Sequence, residues 1–172
     1  MLGKKSLPMT AVVVILLVAL ATMGVAYGLW AKTLYINGTV NTGNVDAEFS
    51  GPVFWDEEAK DVGTCEAWLS ATNQANDTLN ILITNGYPSY WCFVAFDVHN
   101  TGSIPIHVHQ PELAAPPEVT VLVDGCYAQD TQLHYSEQAW CQLKIHVEQG
   151  AAQGASYTFG GTIFVHQYNE EP

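Results

Sequence analysis

The chain contains no arginine and only five lysines among its 172 residues, against 17 acidic residues. Its formal net charge is −12 at pH 7 with the histidines neutral. Nucleic acids and anionic lipid headgroups attract basic protein surfaces, and a strongly acidic surface repels both of them. The composition therefore argues against nucleic-acid binding and against attachment to an anionic membrane surface through the folded domain.

The motifs of the common enzyme classes are also missing. No histidine is followed by glutamate, so the H-E-x-x-H zinc motif is absent, and the chain has no G-x-S-x-G sequence and no phosphate-binding glycine loop. We therefore expect a protein that is not an enzyme and that carries no cofactor.

The N-terminal 28 residues have the pattern of a secretory signal. Lys4 and Lys5 precede an uncharged stretch over residues 6–31, and Ala26 and Gly28 place small side chains before Leu29, where a signal peptidase would cleave. The alternative is a retained transmembrane anchor, because about 20 apolar residues can cross a bilayer. Either interpretation predicts a secreted protein, extracellular or at the cell surface, which meets the membrane only through this segment.

Four cysteines follow the signal, namely Cys65, Cys92, Cys126 and Cys141. An even number of cysteines in a secreted domain indicates disulfides. Three pairings are possible, and we favour Cys126–Cys141 with Cys65–Cys92, because the first pair flanks one turn-rich segment. Asn37 and Asn76 each begin an N-x-T sequon and are candidate glycosylation sites.

Beyond residue 31 the sequence alternates between apolar and polar residues with strand period and shows almost no helical period. We predict seven to nine strands in an antiparallel β-sandwich. Residues 56–77 are acidic and polar and are predicted to form a loop. Residues 45–55 alternate toward a strand that is predicted to end at the Gly51-Pro52 pair. Further predicted strands cover residues 78–84, 91–99, 104–108, 119–123, 141–147 and 157–165.

One predicted hairpin joins residues 91–99 to residues 104–108. Pairing Val98 with Ile104 keeps both apolar faces on one side if Asn100-Thr101-Gly102 forms a three-residue loop with its glycine in the left-handed conformation. Pro105 lacks an N–H group, which predicts an edge position or a bulge for the second strand.

The same register collects polar side chains on the outer face of this hairpin. His107 and His109 would lie beside Asp97 and His99 of the neighbouring strand, and imidazole groups suit zinc and copper. The alternative, which we favour, is a solvated polar face without a metal. The metal candidates at this point are His99, His107 and His109.

Three segments together resemble the TasA/camelysin family. Asn37-Gly-Thr-Val-Asn-Thr-Gly-Asn-Val-Asp46 is similar to the first motif of that family, and Phe96-Asp-Val-His-Asn-Thr-Gly-Ser-Ile-Pro105 is similar to its internal strand–Asn-x-Gly–strand motif. Tyr157-Thr-Phe159 followed by Gln167-Tyr168-Asn169 resembles its final strand. The segments occur in the family order and bracket nearly the whole chain after the signal.

The resemblance implies a jelly-roll-like sandwich that is secreted and polymerises with copies of itself into biofilm matrix fibres, as related archaeal bundling pili do. It also implies that the N-terminal segment of one subunit inserts as a strand into its neighbour, with other matrix or anchoring proteins as further possible partners. Four cysteines, five tryptophans and a shorter length distinguish this chain from the bacterial matrix proteins.

The residues after the predicted cleavage site suit such an inserted strand. Trp30, Leu34 and Ile36 share one face of an extended segment, and Leu29 and Tyr35 lie on the other. We expect Leu29, Trp30, Leu34 and Ile36 to carry the assembly. The alternative is that this segment is the first strand of its own sheet, in a membrane-anchored monomeric sandwich that binds a metal or a glycan. The predicted divisions are residues 1–28, the donor segment 29–38 and the sandwich 39–172.

Overall fold

A computed structural model describes residues 7–28, 32–58, 60 and 62–170 of the chain. The chain divides into two units, Met1–Asn41 and Thr42–Pro172. The first unit contains the helix α1, Met9–Gly28, and residues 32–41 after it belong to no helix or strand. Within the described part of the chain, no helix is long and apolar enough to span a bilayer.

The second unit is built from antiparallel strands. In chain order they are β1 Ala47–Asp56, β2 Thr64–Ser70, β3 Thr78–Thr84, β4 Trp91–Asn100, β5 Ile106–Val108, β6 Glu112–Ala114, β7 Val119–Cys126, β8 Thr131–Leu133, β9 Gln138–Val147, β10 Gly160–Thr162 and β11 Val165–Gln167.

These strands form one large sheet and three small ones. The large sheet has the order β1-β4-β9-β7, the histidine-rich sheet has the order β11-β5-β8, and β2-β3 and β10-β6 are two-stranded. All pairs are antiparallel. The all-β, sandwich-like fold predicted from the alternation is therefore confirmed.

The core lies on the inner face of the large sheet. Its central strand β9 alternates strictly, with Ala139, Cys141, Leu143, Ile145 and Val147 buried and the residues between them more exposed. These side chains pack with buried residues of β2, β5 and β8, which belong to the small sheets. Alternation is expected where one face of a sheet is covered and the other meets solvent.

Several strands lie where the sequence predicts them, and some predictions are wrong. β3 covers residues 78–84 as expected, and the strands near residues 91, 119 and 141 are confirmed. The predicted loop over residues 56–77 contains β2. The predicted long strand over residues 157–165 is instead two short strands, β10 and β11, so the described residues contain 11 strands.

The first strand does not end at Gly51-Pro52. β1 continues to Asp56, and its register against β4 shifts between Ser50 and Val53, which places a bulge at this dipeptide. Gly51 has a φ of 56°, and Pro52 lies on an edge strand, where its missing N–H group breaks no ladder.

The predicted hairpin between β4 and β5 does not form. Strand β4 pairs with β1 and β9, whereas β5 is the central strand of the histidine-rich sheet, so the prediction of an edge position is also wrong. Gly102 does not adopt a left-handed φ. Glycine is needed there because a Cβ would lie 2.6 Å from the backbone oxygen of Asn44 and 2.7 Å from the backbone nitrogen of Asp46.

Asn100 marks the point where the chain leaves the large sheet for the histidine-rich sheet. Its side chain is fully buried, its Nδ2 donates to the backbone oxygens of Ile104 and Leu133, and its Oδ1 accepts from the N–H of Gly102. These three bonds satisfy the buried amide and fix the crossing between the two sheets.

Candidate functional site

A cleft of about 540 Å³ opens between the two-stranded sheets. One wall comes from β3, and the other from the segment before and through β10. Four apolar residues of the large sheet, Phe49, Phe96, Val121 and Leu143, reach the cleft from beneath. Phe49 and Phe96 contact each other edge to face at 5.3 Å between ring centroids.

Both walls of the cleft present strand edges. Six consecutive residues, Asp77 to Leu82, line it on one side, and Tyr157 to Ile163 line it on the other. Among the described strands, β3 pairs only with β2, and β10 pairs only with β6. The N–H and C=O groups on their other edges are therefore available to an additional extended segment.

Asp77 lies at the end of the cleft where β3 begins. Its carboxylate accepts hydrogen bonds from the backbone N–H groups of Thr72 and Asn73, both at 2.6 Å, and of Gln74 at 3.1 Å. These backbone donors, that of Asn73 foremost, hold the pKa of Asp77 far below its usual value. The turn before β3 is thereby fixed by an ionised carboxylate.

The N-terminal assembly segment is only partly described. Leu29 and Trp30 lie outside the described residues, whereas Leu34 and Ile36 are within them. Residues 32–41 are exposed and belong to none of the described strands. Leu34 is 79% exposed and Ile36 is 98% exposed. In this structure, then, residues 32–36 are not the first strand of their own sheet.

The candidate histidines separate into two places. His99 lies in β4 opposite Glu48 of β1 and Gln138 of β9, with its Nδ1 3.8 Å from Oε1 of Glu48. His107 lies in β5, a strand of another sheet. The prediction that the two histidines 107 and 109 lie beside Asp97 and His99 is therefore wrong, because β4 and β5 do not pair.

His107 has different neighbours. His166 of β11 lies directly opposite it, and Asp130 reaches the same face from the turn before β8. His109 follows on that face two residues after His107, and its Nε2 lies 3.1 Å from Nε2 of His166. Sequence reasoning missed His166 and Asp130, because neither is close to His107 along the chain.

The cysteines form two disulfides, Cys65–Cys92 and Cys126–Cys141, which are the pairings favoured from the sequence. The first joins β2 to β4, which belong to different sheets, and the second joins the neighbouring strands β7 and β9. Paired cysteines are typical of proteins that fold in oxidising compartments.

The two candidate glycosylation sites differ in accessibility. Asn37 is exposed in the N-terminal unit. Asn76 is half-buried, and its Nδ2 donates to Oε2 of Glu48 at 3.3 Å, a bond that a glycan on this nitrogen would disturb. Modification of either residue stays a prediction.

Comparisons with known proteins add no relative. No protein-family profile, no curated protein and no solved structure matches this chain.

Proposed function

We propose that this protein is the structural subunit of an extracellular filament or biofilm matrix fibre, and that it polymerises by inserting its N-terminal strand into a neighbouring copy. The observation that carries the proposal is the cleft between β3 and β10, with an apolar floor and two strand edges that no described strand occupies. The secretory signal, its cleavage before Leu29 and the jelly-roll topology implied by the resemblance belong to the same proposal.

The exposed segment of the N-terminal unit has the chemistry that the cleft requires. Its main chain can hydrogen-bond to an open strand edge, and Leu34 and Ile36 alternate so that both can face the apolar floor. Charge repulsion does not oppose this contact. Residues 32–41 carry one lysine and no acidic residue, whereas all 17 acidic residues of the chain lie after them.

The contact would propagate. A segment of one copy in the cleft of the next uses two different surfaces, and such a heterologous contact builds open filaments rather than closed pairs. Burying an aliphatic side chain of this size contributes about 1.5–3 kcal/mol, so Leu34 and Ile36 together would contribute roughly 3–6 kcal/mol to each contact. Losing both would raise the concentration needed for assembly by about 10²- to 10⁴-fold.

The test is negative-stain electron microscopy of the protein with its natural N-terminus, compared with a version lacking residues 29–36. A sharper pair is Leu34→Asp combined with Ile36→Asp, against Val40→Asp as the matched control. Val40 is 88% exposed in the same unit but lies outside the predicted donor segment. We expect filaments from the unmodified protein and the control, and monomers from the deletion and the double variant.

Two outcomes would count against the proposal. Filaments formed by the double variant would mean that another surface drives assembly. Monomers throughout, with an intact mass that includes residues 1–28, would favour the anchored monomeric sandwich.

A further inference from the structure

We infer that His107, Asp130 and His166 form a binding site for one divalent first-row transition-metal ion of the zinc class. One ligand atom from each of the three residues lies within 4.8 Å of the others. Two imidazole nitrogens and one carboxylate oxygen form a donor set that zinc binds, whereas calcium and magnesium prefer oxygen ligands alone. The inference does not depend on filament assembly.

The sheet itself brings the three ligands together. His107 and His166 are directly paired across β5 and β11, so their side chains leave the same face. The next strand, β8, begins at Thr131, which pairs with Val108, and this pairing sets Asp130 beside the two rings. Asp130 has a φ of 61°, an uncommon conformation for a residue other than glycine.

His166 is already oriented as a metal ligand. Its Nδ1 lies 3.0 Å from the backbone oxygen of Gln167, to which it can only donate, so the neutral ring leaves the lone pair of Nε2 facing the cluster. Metal-bound histidines commonly donate their other N–H to a carbonyl in this way, which fixes the tautomer. The His166 side chain is only 9% exposed, so its ring is held in place.

His109 contacts the ligands. Gln129 accepts the N–H of Gln110 through Oε1, which orients its amide so that Nε2 donates to Nδ1 of His109 at 2.9 Å. The neutral His109 ring then carries its proton on Nε2, which donates to Nε2 of His166 at 3.1 Å and lies 3.6 Å from Oδ1 of Asp130. An ion bound by Nε2 of His166 would replace this hydrogen bond, leaving the N–H of His109 to donate to the carboxylate of Asp130.

Binding an ion also requires the contact between His107 and Asp130 to open. Nδ1 of His107 lies 2.7 Å from Oδ1 of Asp130, whereas a tetrahedral ion with bonds of about 2.0–2.1 Å separates its ligand atoms by roughly 3.3 Å. The pair therefore opens by roughly 0.6 Å, and the neutral His107 ring gives up its Nδ1 proton to solvent while Nε2 takes one up, so that the Nδ1 lone pair is free to bind the metal. Asp130 can move, because half of its side chain is exposed.

The experiment is calorimetric titration of the full chain with Zn²⁺, after treatment with a chelator and without a histidine tag. Co²⁺ absorption in the visible range gives a second readout of nitrogen and oxygen coordination. We expect one ion per chain, binding at least about tenfold weaker in His166→Gln and in Asp130→Asn, and unchanged binding in His134→Gln. His134 is an exposed histidine outside the cluster and serves as the control.

Circular dichroism of each variant separates loss of the site from loss of the fold. The half-exposed Asp130 supplies a test even if replacing the more buried His166 disturbs the sheet. The inference is overturned if the unmodified protein binds no Zn²⁺, if folded His166→Gln and Asp130→Asn bind it as tightly as the unmodified protein, or if His134→Gln loses as much affinity as they do.

Discussion

Removing one disulfide should weaken the proposed filament assembly, whereas removing the other should leave it unchanged. Cys65–Cys92 ties β2, and through it β3, to the large sheet, so it anchors one wall of the cleft to the floor. Cys126–Cys141 joins two strands that are already hydrogen-bonded neighbours within the large sheet. The two double alanine variants therefore form a matched pair.

The cost to folding should be similar in the two variants. The cysteines are separated by 27 residues in the first pair and by 15 in the second. The loop-closure relation gives about 3.6 kcal/mol for the longer loop and about 3.0 kcal/mol for the shorter one. For a unit of this size each kcal/mol lowers the melting temperature by about 4 °C, so both variants should melt roughly 12–15 °C below the unmodified protein.

The two variants should differ in filament assembly, although their stabilities should be similar. Urea denaturation measures the free energy of unfolding of each variant, and sedimentation measures the concentration at which filaments appear. We expect Cys65→Ala with Cys92→Ala to raise that concentration well above the value for Cys126→Ala with Cys141→Ala. The reasoning is refuted if both variants assemble equally well at a temperature where both are folded.

Two further predictions concern buried and capping polar groups. Asn100→Ala removes three hydrogen bonds and leaves their buried partners unsatisfied, so it should lower the free energy of unfolding by about 2–4 kcal/mol. The control, Asn80→Ala, removes a less buried amide and should lower it by less than about 1 kcal/mol. Chemical denaturation measures both. Because the folded pKa of Asp77 is depressed, its contribution to stability is present above the unfolded pKa near 3.8 and is lost as the pH falls toward the folded value. Asp77→Asn should therefore destabilise the protein most at pH 7 and progressively less as the pH falls below 3.8. The control is Asp124→Asn, whose carboxylate accepts one 3.3 Å bond from a glutamine side chain. An effect of Asp77→Asn that stays constant as the pH is lowered through this range would contradict the mechanism.

Strand positions were predictable where one face of a strand is buried and the other is solvated. β3 and β9 alternate clearly, and their positions follow from that alternation. β2 was missed because glutamate and serine occupy its outward positions and acidic residues precede it, although Cys65 and Ala67 alternate inward. Alternation identifies the face of a residue but says nothing about which strand lies beside it.

Strand partners were the harder part, and the histidine cluster depends on them. The hairpin assumption placed His107 beside His99, whereas the buried Asn100 carries the chain out of the large sheet between these residues. Strand pairing places His107 opposite His166, which lies 59 positions later in the sequence. Asp130 lies in the turn before β8, the strand that pairs with the other edge of β5. The disulfide pairing could be predicted because the turn-rich segment is local, with its two cysteines only 15 positions apart in the sequence.

The arrangement of the small sheets gives a physical reason for the proposed strand exchange. Two-stranded sheets are marginally stable by themselves, and here two of them, β2-β3 and β10-β6, line the same cleft. A donated strand that pairs with both open edges would join them into one five-stranded layer opposite the large sheet. Left open, the same edges are sites for uncontrolled pairing with other chains. In the proposed assembly, the apolar extended segment of one copy would close these edges in the next copy, so the same open edges would make the polymer specific.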